Sequence, residues 1–198
     1  MTGSSADRAA RTGVVLVNHD SAEDTVGCIA SLEASLDLDM DVVVVDNSDS
    51  EGSRAALAGL VGDRALVLSS GGNLGYAGGS NVGVQHCLRR GNQLVWLLNP
   101  DSRVEPETLP RLIGLLDEVP DCGVVGPRIV HPAGPGGEET VWFDGGLVDE
   151  TNAGETRHLH QGRRISQLPS PGSHDVDYIT GASLRWISVS RTRCSAPV

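Results

Sequence analysis

Four stretches of this chain end in side chains that can hold a polar ligand. They are Asn18-His19-Asp20, Asp46-Asn47-Ser48, the glycine-rich run "SSGGNLGYAGGSNVGV" over 69–84, and Asn99-Pro100-Asp101. Asp46 closes a valine run, and a carboxylate there can accept hydrogen bonds from a base imide or a ribose. Asp101 offers the hard anionic oxygen that a divalent cation prefers. Asn99 can add an amide oxygen, a weaker ligand than a second carboxylate. Six glycines among the sixteen residues of the third run let backbone approach a ligand closely. Taken singly, such Asx and Ser residues cap helices and make turns. Taken together, they read as one site if the fold brings them to one edge.

A parallel sheet would do that. "GVVLV" (13–17) is a short apolar run of the kind that forms a strand buried on both faces, and "DVVVVDNSDS" (41–50), "RALVLSS" (64–70) and "QLVWLLNPDS" (93–102) repeat the pattern. Helical stretches lie between them. Ser21 opens the first, with Asp24 as its capping-box partner. Ala55–Leu60 is a shorter patch, Tyr76 to Arg90 turns Val82, Val84 and Leu88 inward, and Pro106 starts a helix that runs to about residue 118. "CGVVGPRIV" (122–130) and "VDYITGASL" (176–184) read as two more strands, and 133–175 as loops around a hairpin or irregular excursion. Strand and helix alternate every 25–30 residues or so, which indicates an α/β fold with a mostly parallel sheet and helices on both faces. Ligands of such sheets bind beyond the carboxyl ends of the strands, where all four polar runs fall.

Composition removes other classes of function. The chain has 198 residues, 39% apolar and only 3% aromatic, with 15 arginines and no lysine against 26 Asp plus Glu, for a net charge of −11. That balance argues against nucleic acid as a partner. A phosphorylated ligand would need a divalent metal to supply positive charge. Without lysine there is no Walker-A loop and no Schiff base. The glycine run follows the third strand and lacks Gly-x-Gly-x-x-Gly spacing, so NAD binding is disfavoured. Cys28, Cys87, Cys122 and Cys194 form no Cys-x-x-Cys pair and read as reduced thiols. The N-terminal stretch has no apolar h-region, no run is long enough to span a bilayer, and the chain reads as cytoplasmic.

In order, "VVLVNHDS", "VVVVDNSDS", "NLGYAGGSNVGV", "LVWLLNPDSRVEPETLPRL", "GVVGPRIV", "VWFDGG" and "VDYITGASL" resemble the family-2 glycosyltransferases of the GT-A fold, in their rhamnosyltransferase-like branch, over residues 13–184. The resemblance implies a Rossmann-like nucleotide-binding domain and a nucleoside-diphosphate-sugar donor. It also implies a divalent cation (Mg2+ or Mn2+) and transfer with inversion to a glycan or lipid-linked acceptor, peripherally at the inner face of the membrane. Carried over by position, Val17, Asn18, His19 and Asp46 would line the nucleoside pocket. Asn73, Gly75 and Asn81 would belong to the donor loop and helix start. Asn99 would stand for the first Asp of an Asp-x-Asp motif, with Asp101 as the metal carboxylate. Gly181 and Ala182 would lie on the acceptor side. The implied division is a disordered tail at 1–12, a nucleotide-sugar domain at 13–131, the start of the acceptor-side region at 132–184 and an atypical tail at 185–198.

The chain departs from the family after Leu184. An apolar-Arg stretch, a Gly-x-Phe-Asp-like segment and a Glu-Asp-x-Asp element with the catalytic base are expected there. "RWISVSRTRCSAPV" contains no acid, so the catalytic residue stays unassigned. The expectation is a frameshifted or truncated frame and a GT-A sheet incomplete at its C-terminus. Two readings follow, an active transferase or an inactive remnant that only binds nucleotide-sugar. A flavodoxin-like or response-regulator module ranks last because it needs a downstream lysine. The remaining features have plainer roles: His158 and His160 solvated, Asp175 and Asp177 in a turn, Arg163-Arg164 a surface pair, and Trp142 and Phe143 either core or sugar-stacking.

Overall fold

β1 (Thr12–Asn18) is buried along its whole length, as a strand without polar alternation must be when both sheet faces are covered. The computed structural model describes residues 12–35, 40–119, 121–169, 172–187 and 193–196. The N-terminal tail, but for Thr12, lies outside them. After β1 come α1 (Ala22–Glu33), β2 (Met40–Asp46), α2 (Glu51–Val61), β3 (Leu66–Ser69), α3 (Gly75–Arg89), β4 (Leu94–Leu98), α4 (Thr108–Glu118) and β5 (Cys122–Val125). β1 pairs in parallel with β2 on one side and β4 on the other, and β2 with β3. The register sets Asn18 beside Asp46, and Asp46 beside Ser69. The carboxyl ends carrying the polar runs therefore stand side by side.

Two apolar layers cover this sheet. Val14, Leu16, Val44, Trp96 and Leu98 pack with Cys28, Ile29 and Leu32 of α1, Leu57 of α2, and Leu109 and Leu112 of α4. On the opposite face Val15, Val43, Val45, Val95 and Leu97 meet Val84 and Cys87 of α3. Leu88, expected to point inward on α3, is 40% exposed, and the wholly buried Cys87 takes the inward position. α3 lies close against β1 because small residues face the sheet. A Cβ on Gly83 would stand 2.3 Å from Val15 Cγ1.

Beyond β4 the sheet changes direction. β11 (Ser183–Ile187) lies antiparallel between β4 and β5, and β12 (Arg193–Ala196) runs parallel to β5. β10 (His174–Asp175) pairs with β12, giving the order β10-β12-β5-β11-β4-β1-β2-β3. The strand expected at 176–184 is thus displaced. Residues 180–182 form a turn in which Ala182 N donates to Thr180 Oγ1 at 3.3 Å, and pairing begins only at Ser183. Regular structure continues past Leu184 because β4 and β5 supply partners that local sequence pattern does not reveal. The expected strand at 122–130 is broken at Gly126-Pro127 into β5 and β6 (Ile129–His131), since proline has no N–H to donate.

The excursion consists of two hairpins, β6 with β7 (Thr140–Phe143) and β8 (Gly146–Asp149) with β9 (Glu155–His158). They converge on Asp144, whose side chain is fully buried. Arg128 Nε stands 3.0 Å from its Oδ1, Arg128 Nη2 donates to its Oδ2 at 3.0 Å, and His160 Nδ1 lies 2.6 Å from Oδ2. His158 stacks edge-on to Phe143 with ring centroids 4.9 Å apart. The two histidines expected to be solvated are half-buried structural residues, one drawn in by a buried charge and the other by an aromatic ring. Asp177 holds a backbone amide, accepting from Val148 N at 2.8 Å, and Arg164 pairs with Glu138 at 3.2 Å.

Candidate functional site

Asn18 ends β1 with its side chain fully buried. Its Oδ1 accepts from Thr25 Oγ1 at 3.0 Å and from Ser21 Oγ at 3.4 Å, while its Nδ2 donates to Asp46 Oδ1 at 3.5 Å. Ser21 is therefore drawn back to Asn18. It makes no side-chain cap to its own helix, and the expected capping box is absent. Asn18 can reach a ligand only through Asp46. Val17, 8% exposed, lies under α3, where a Cβ on Gly79 would stand 2.8 Å from its Cγ1.

Asp46 is 2% exposed at the end of β2. Its Oδ1 also accepts from Ser48 N at 3.3 Å and Ser48 Oγ at 2.9 Å. Oδ2 takes none of the hydrogen bonds formed among the described residues. One oxygen is anchored by protein and the other is available to a ligand. Next to it, Asn47 ties the glycine loop down. Its Oδ1 accepts from Leu74 N at 3.0 Å, and its Nδ2 donates to Gly75 O and to Asn73 Oδ1, both at 3.2 Å. Asn73 N donates to Asp49 Oδ1 at 2.9 Å, and Asn73 Oδ1 accepts from Gly75 N at 2.9 Å. Gly75 has φ +68°, which a side chain would strain, and it starts α3 straight out of the loop. Asn81 lies exposed one turn and a half further along α3.

The turn after β4 meets the Gly181-Ala182 turn directly. Asn99 N donates to Ala182 O at 2.9 Å, and Trp96 Nε1 donates to Ser183 Oγ at 3.0 Å. Tyr76, at the start of α3, donates its hydroxyl to Gly181 O. Gly181 and Ala182 are therefore held from two sides, by the helix that follows the glycine loop and by the Asn99 turn. Asp101 is exposed. Asp101 and Arg103 act in opposite directions on the Cys28 thiol, which burial pushes up to about 12. Among the described residues no group of three or more His, Cys, Asp or Glu side chains is placed to hold a metal ion. A cation at Asp101 would need ligand and water oxygens to complete its shell, as a cation shared with a diphosphate does.

The structure thus brings Asn18, His19, Asp46, Asn73 and Gly75 into one bonded network and Asn99 into contact with the Gly181-Ala182 turn, with Asp101 exposed two residues further on. Sequence reasoning placed Asn47 and Ser48 in a polar strand-end run without an individual role, and gave none to Thr25 or Tyr76. Asn47 carried a readable signal, an amide directly after the last residue of a buried strand. Tyr76 carried none, because its partner is a backbone oxygen 105 positions away.

The family model for glycosyl transferase family 2 matches residues 13–181. The low-salt glycan biosynthesis hexosyltransferase Agl10 of Haloferax volcanii is 30% identical over 159 residues, covering 74% of this chain and 49% of that protein. The chain spans about half the length of the curated relative it matches. Among solved structures, GalNAc-T7 with UDP, GalNAc and Mn2+ superposes with a TM-score of 0.63 at 12% identity, over 94% of this chain and 42% of that one. S. aureus TarS 1–349 gives 0.53 at 17% identity, over 89% and 47%. At these identities the two structures bear on the fold, and the fold agrees.

Proposed function

Because the chain belongs to glycosyl transferase family 2, we propose that it takes part in moving a sugar from a nucleoside-diphosphate donor to a glycan or lipid-linked acceptor hydroxyl, with inversion. A deoxysugar such as rhamnose is the donor sugar that the ordered motifs favour. The observation that carries this reading is the double hold on the Gly181-Ala182 turn, by Tyr76 of the donor-loop helix and by Asn99 of the Asn-Pro-Asp turn. These bonds tie the glycine-loop helix and the Asn99-Pro100-Asp101 turn to one and the same turn.

In this reading Asp46 Oδ2 receives the nucleoside, Asn18 and Ser48 fix its carboxylate, and the 70–75 backbone faces the phosphates. Asp101 would hold a Mg2+ or Mn2+ ion, with Asn99 beside it, and the ion would neutralise charge on the departing diphosphate. In the transfer itself the acceptor oxygen bonds to the anomeric carbon, and the carbon–oxygen bond to the diphosphate breaks. The hydroxyl proton goes to a base.

No base is assigned among the described residues: Asp144 is buried against Arg128 and His160, and Asp177 holds Val148 N. Binding of nucleotide-sugar without turnover is the alternative reading. Calorimetry with UDP, GDP and dTDP, with and without Mn2+, tests donor binding, and a sugar-transfer assay separates the two readings. Asp101→Ala should weaken Mn2+-dependent diphosphate binding at least about tenfold, a typical loss for a removed charge-assisted contact. Unchanged affinity would overturn the cation assignment.

A further inference from the structure

We infer that His19 is a positioning residue that holds the donor loop in its ligand-ready form only while its imidazole is neutral. This rests on the donor-site reading above. The argument starts at Asn73, whose side-chain Nδ2 lies 3.1 Å from His19 Nε2. The direction of that amide is set by its other contacts. Gly75 N can only donate, and it donates to Asn73 Oδ1 at 2.9 Å. Asn47 Nδ2 donates to the same oxygen, and Asn47 is itself fixed, since Leu74 N donates to its Oδ1 while its Nδ2 also reaches Gly75 O. Every link ends on a backbone group whose role cannot be exchanged. Asn73 Nδ2 therefore faces His19 as a donor, and Nε2 must receive it with a lone pair. The ring proton then sits on Nδ1, 3.7 Å from Asp20 Oδ2.

Protonation would put a second N–H donor on Nε2, directly against the Asn73 amide. Turning Asn73 over would not relieve this, because its NH2 would then face Gly75 N–H and the Asn47 amide. The bond to His19 must break instead, and the loop loses its tie to the end of β1. Asp20 Oδ2 lies 3.7 Å from the ring's Nδ1, Asp46 and Asp49 lie at the end of β2, and Glu23 and Asp24 lie in the first turn of α1. The loop segment 70–74 carries no titratable side chain. Ligand binding that needs the tied loop is therefore linked to loss of this proton. His19 is half exposed, with 50% of its side chain accessible, which keeps the effect moderate.

The test uses the full chain and has two readouts. Long-range 15N–1H spectra of the ligand-free protein should show His19 with its proton on Nδ1, and the Asn73 side-chain amide should shift along the same titration curve. Calorimetry with UDP and with GDP, each with Mn2+, should show affinity falling about tenfold between about pH 7.5 and about pH 5. In His19→Gln, the amide oxygen can accept from Asn73 and does not titrate, so only the smaller loss that comes from protonation of the diphosphate itself should remain. Asn73→Asp offers the ring an acceptor, so its weaker overall affinity should improve, not fall, as the imidazolium forms. A proton on Nε2 in the wild-type protein, or an undiminished acid loss in His19→Gln, would overturn the inference. If neither diphosphate binds at any pH, the donor-site reading fails, and the tautomer and the Asn73 titration still decide the His19 link.

Discussion

Asn47 shows what a single side chain contributes here. It is 2% exposed and holds Leu74, Asn73 and Gly75 through both ends of one amide. Asn47→Ala removes a buried amide and leaves Leu74 N–H and Gly75 C=O, both on exposed residues, without this partner, and should cost about 1–2 kcal/mol by urea denaturation. The same variant should bind UDP or GDP more weakly, because the loop is no longer tied to β2. A stability change under about 0.5 kcal/mol would show that the loop is held elsewhere. At this scale the carboxylates were legible: Asp46 and Asp101 follow apolar runs, where an acid needs a reason. The amides were not. Whether an asparagine caps, turns or clamps depends on partners across the sheet, as Ser21 shows by bonding Asn18 in place of its own helix.

Among elements, α3 combines two jobs. It starts at a positive-φ glycine that lets the glycine loop run straight into the helix, and it lays Gly79 and Gly83 on β1. Gly83→Ala must push aside Val15, with contacts at 2.3 and 3.0 Å to its two methyls, and should destabilise the fold by about 1–3 kcal/mol. Adding Val15→Ala should recover part of that loss, a coupling readable in a double-mutant cycle. Simple additivity would place the strain elsewhere. The parallel strands and their helices were legible because buried strands read as valine and leucine runs. β11 was shifted because its register follows β4, and Trp96 Nε1 bonding Ser183 Oγ is a long-range choice. The Asp144 cluster was illegible for the same reason, since Arg128, His160 and His174 reach it from three separate segments.

The whole molecule is an acidic α/β unit with two apolar layers, and its buried thiols report on both. Cys28 lies in one layer and Cys87 in the other. Burial raises the first thiol to about 12 and the second to about 11, from an ordinary 9.0. Both should therefore resist alkylation at about pH 8 until the chain unfolds. The sign of the pH effect follows from which state loses protons first. Below the unfolded value both states are protonated and the stabilisation is fully present. Above it only the unfolded chain ionises, so stability falls as pH rises from 9.0 toward the folded values. Thermal unfolding from about pH 8 to about pH 11 should drop more steeply for the native chain than for a Cys28→Ala, Cys87→Ala double variant, and equal slopes would refute this.

The antiparallel strand between β4 and β5 also bears on the order in which the chain can fold as it is made. β1 to β4 can assemble as soon as residue 98 has emerged, but β5 borders only β11 and β12 in the sheet. Trp96 waits for Ser183, 87 positions later. At roughly 5–20 residues per second on the ribosome, that is about 4–17 s in which one edge of β4 is unpaired, and β5, once made, waits out the rest of it with no strand beside it. During that interval α4 holds β5 in place, and chaperones that recognise open strand edges have their best opportunity to bind.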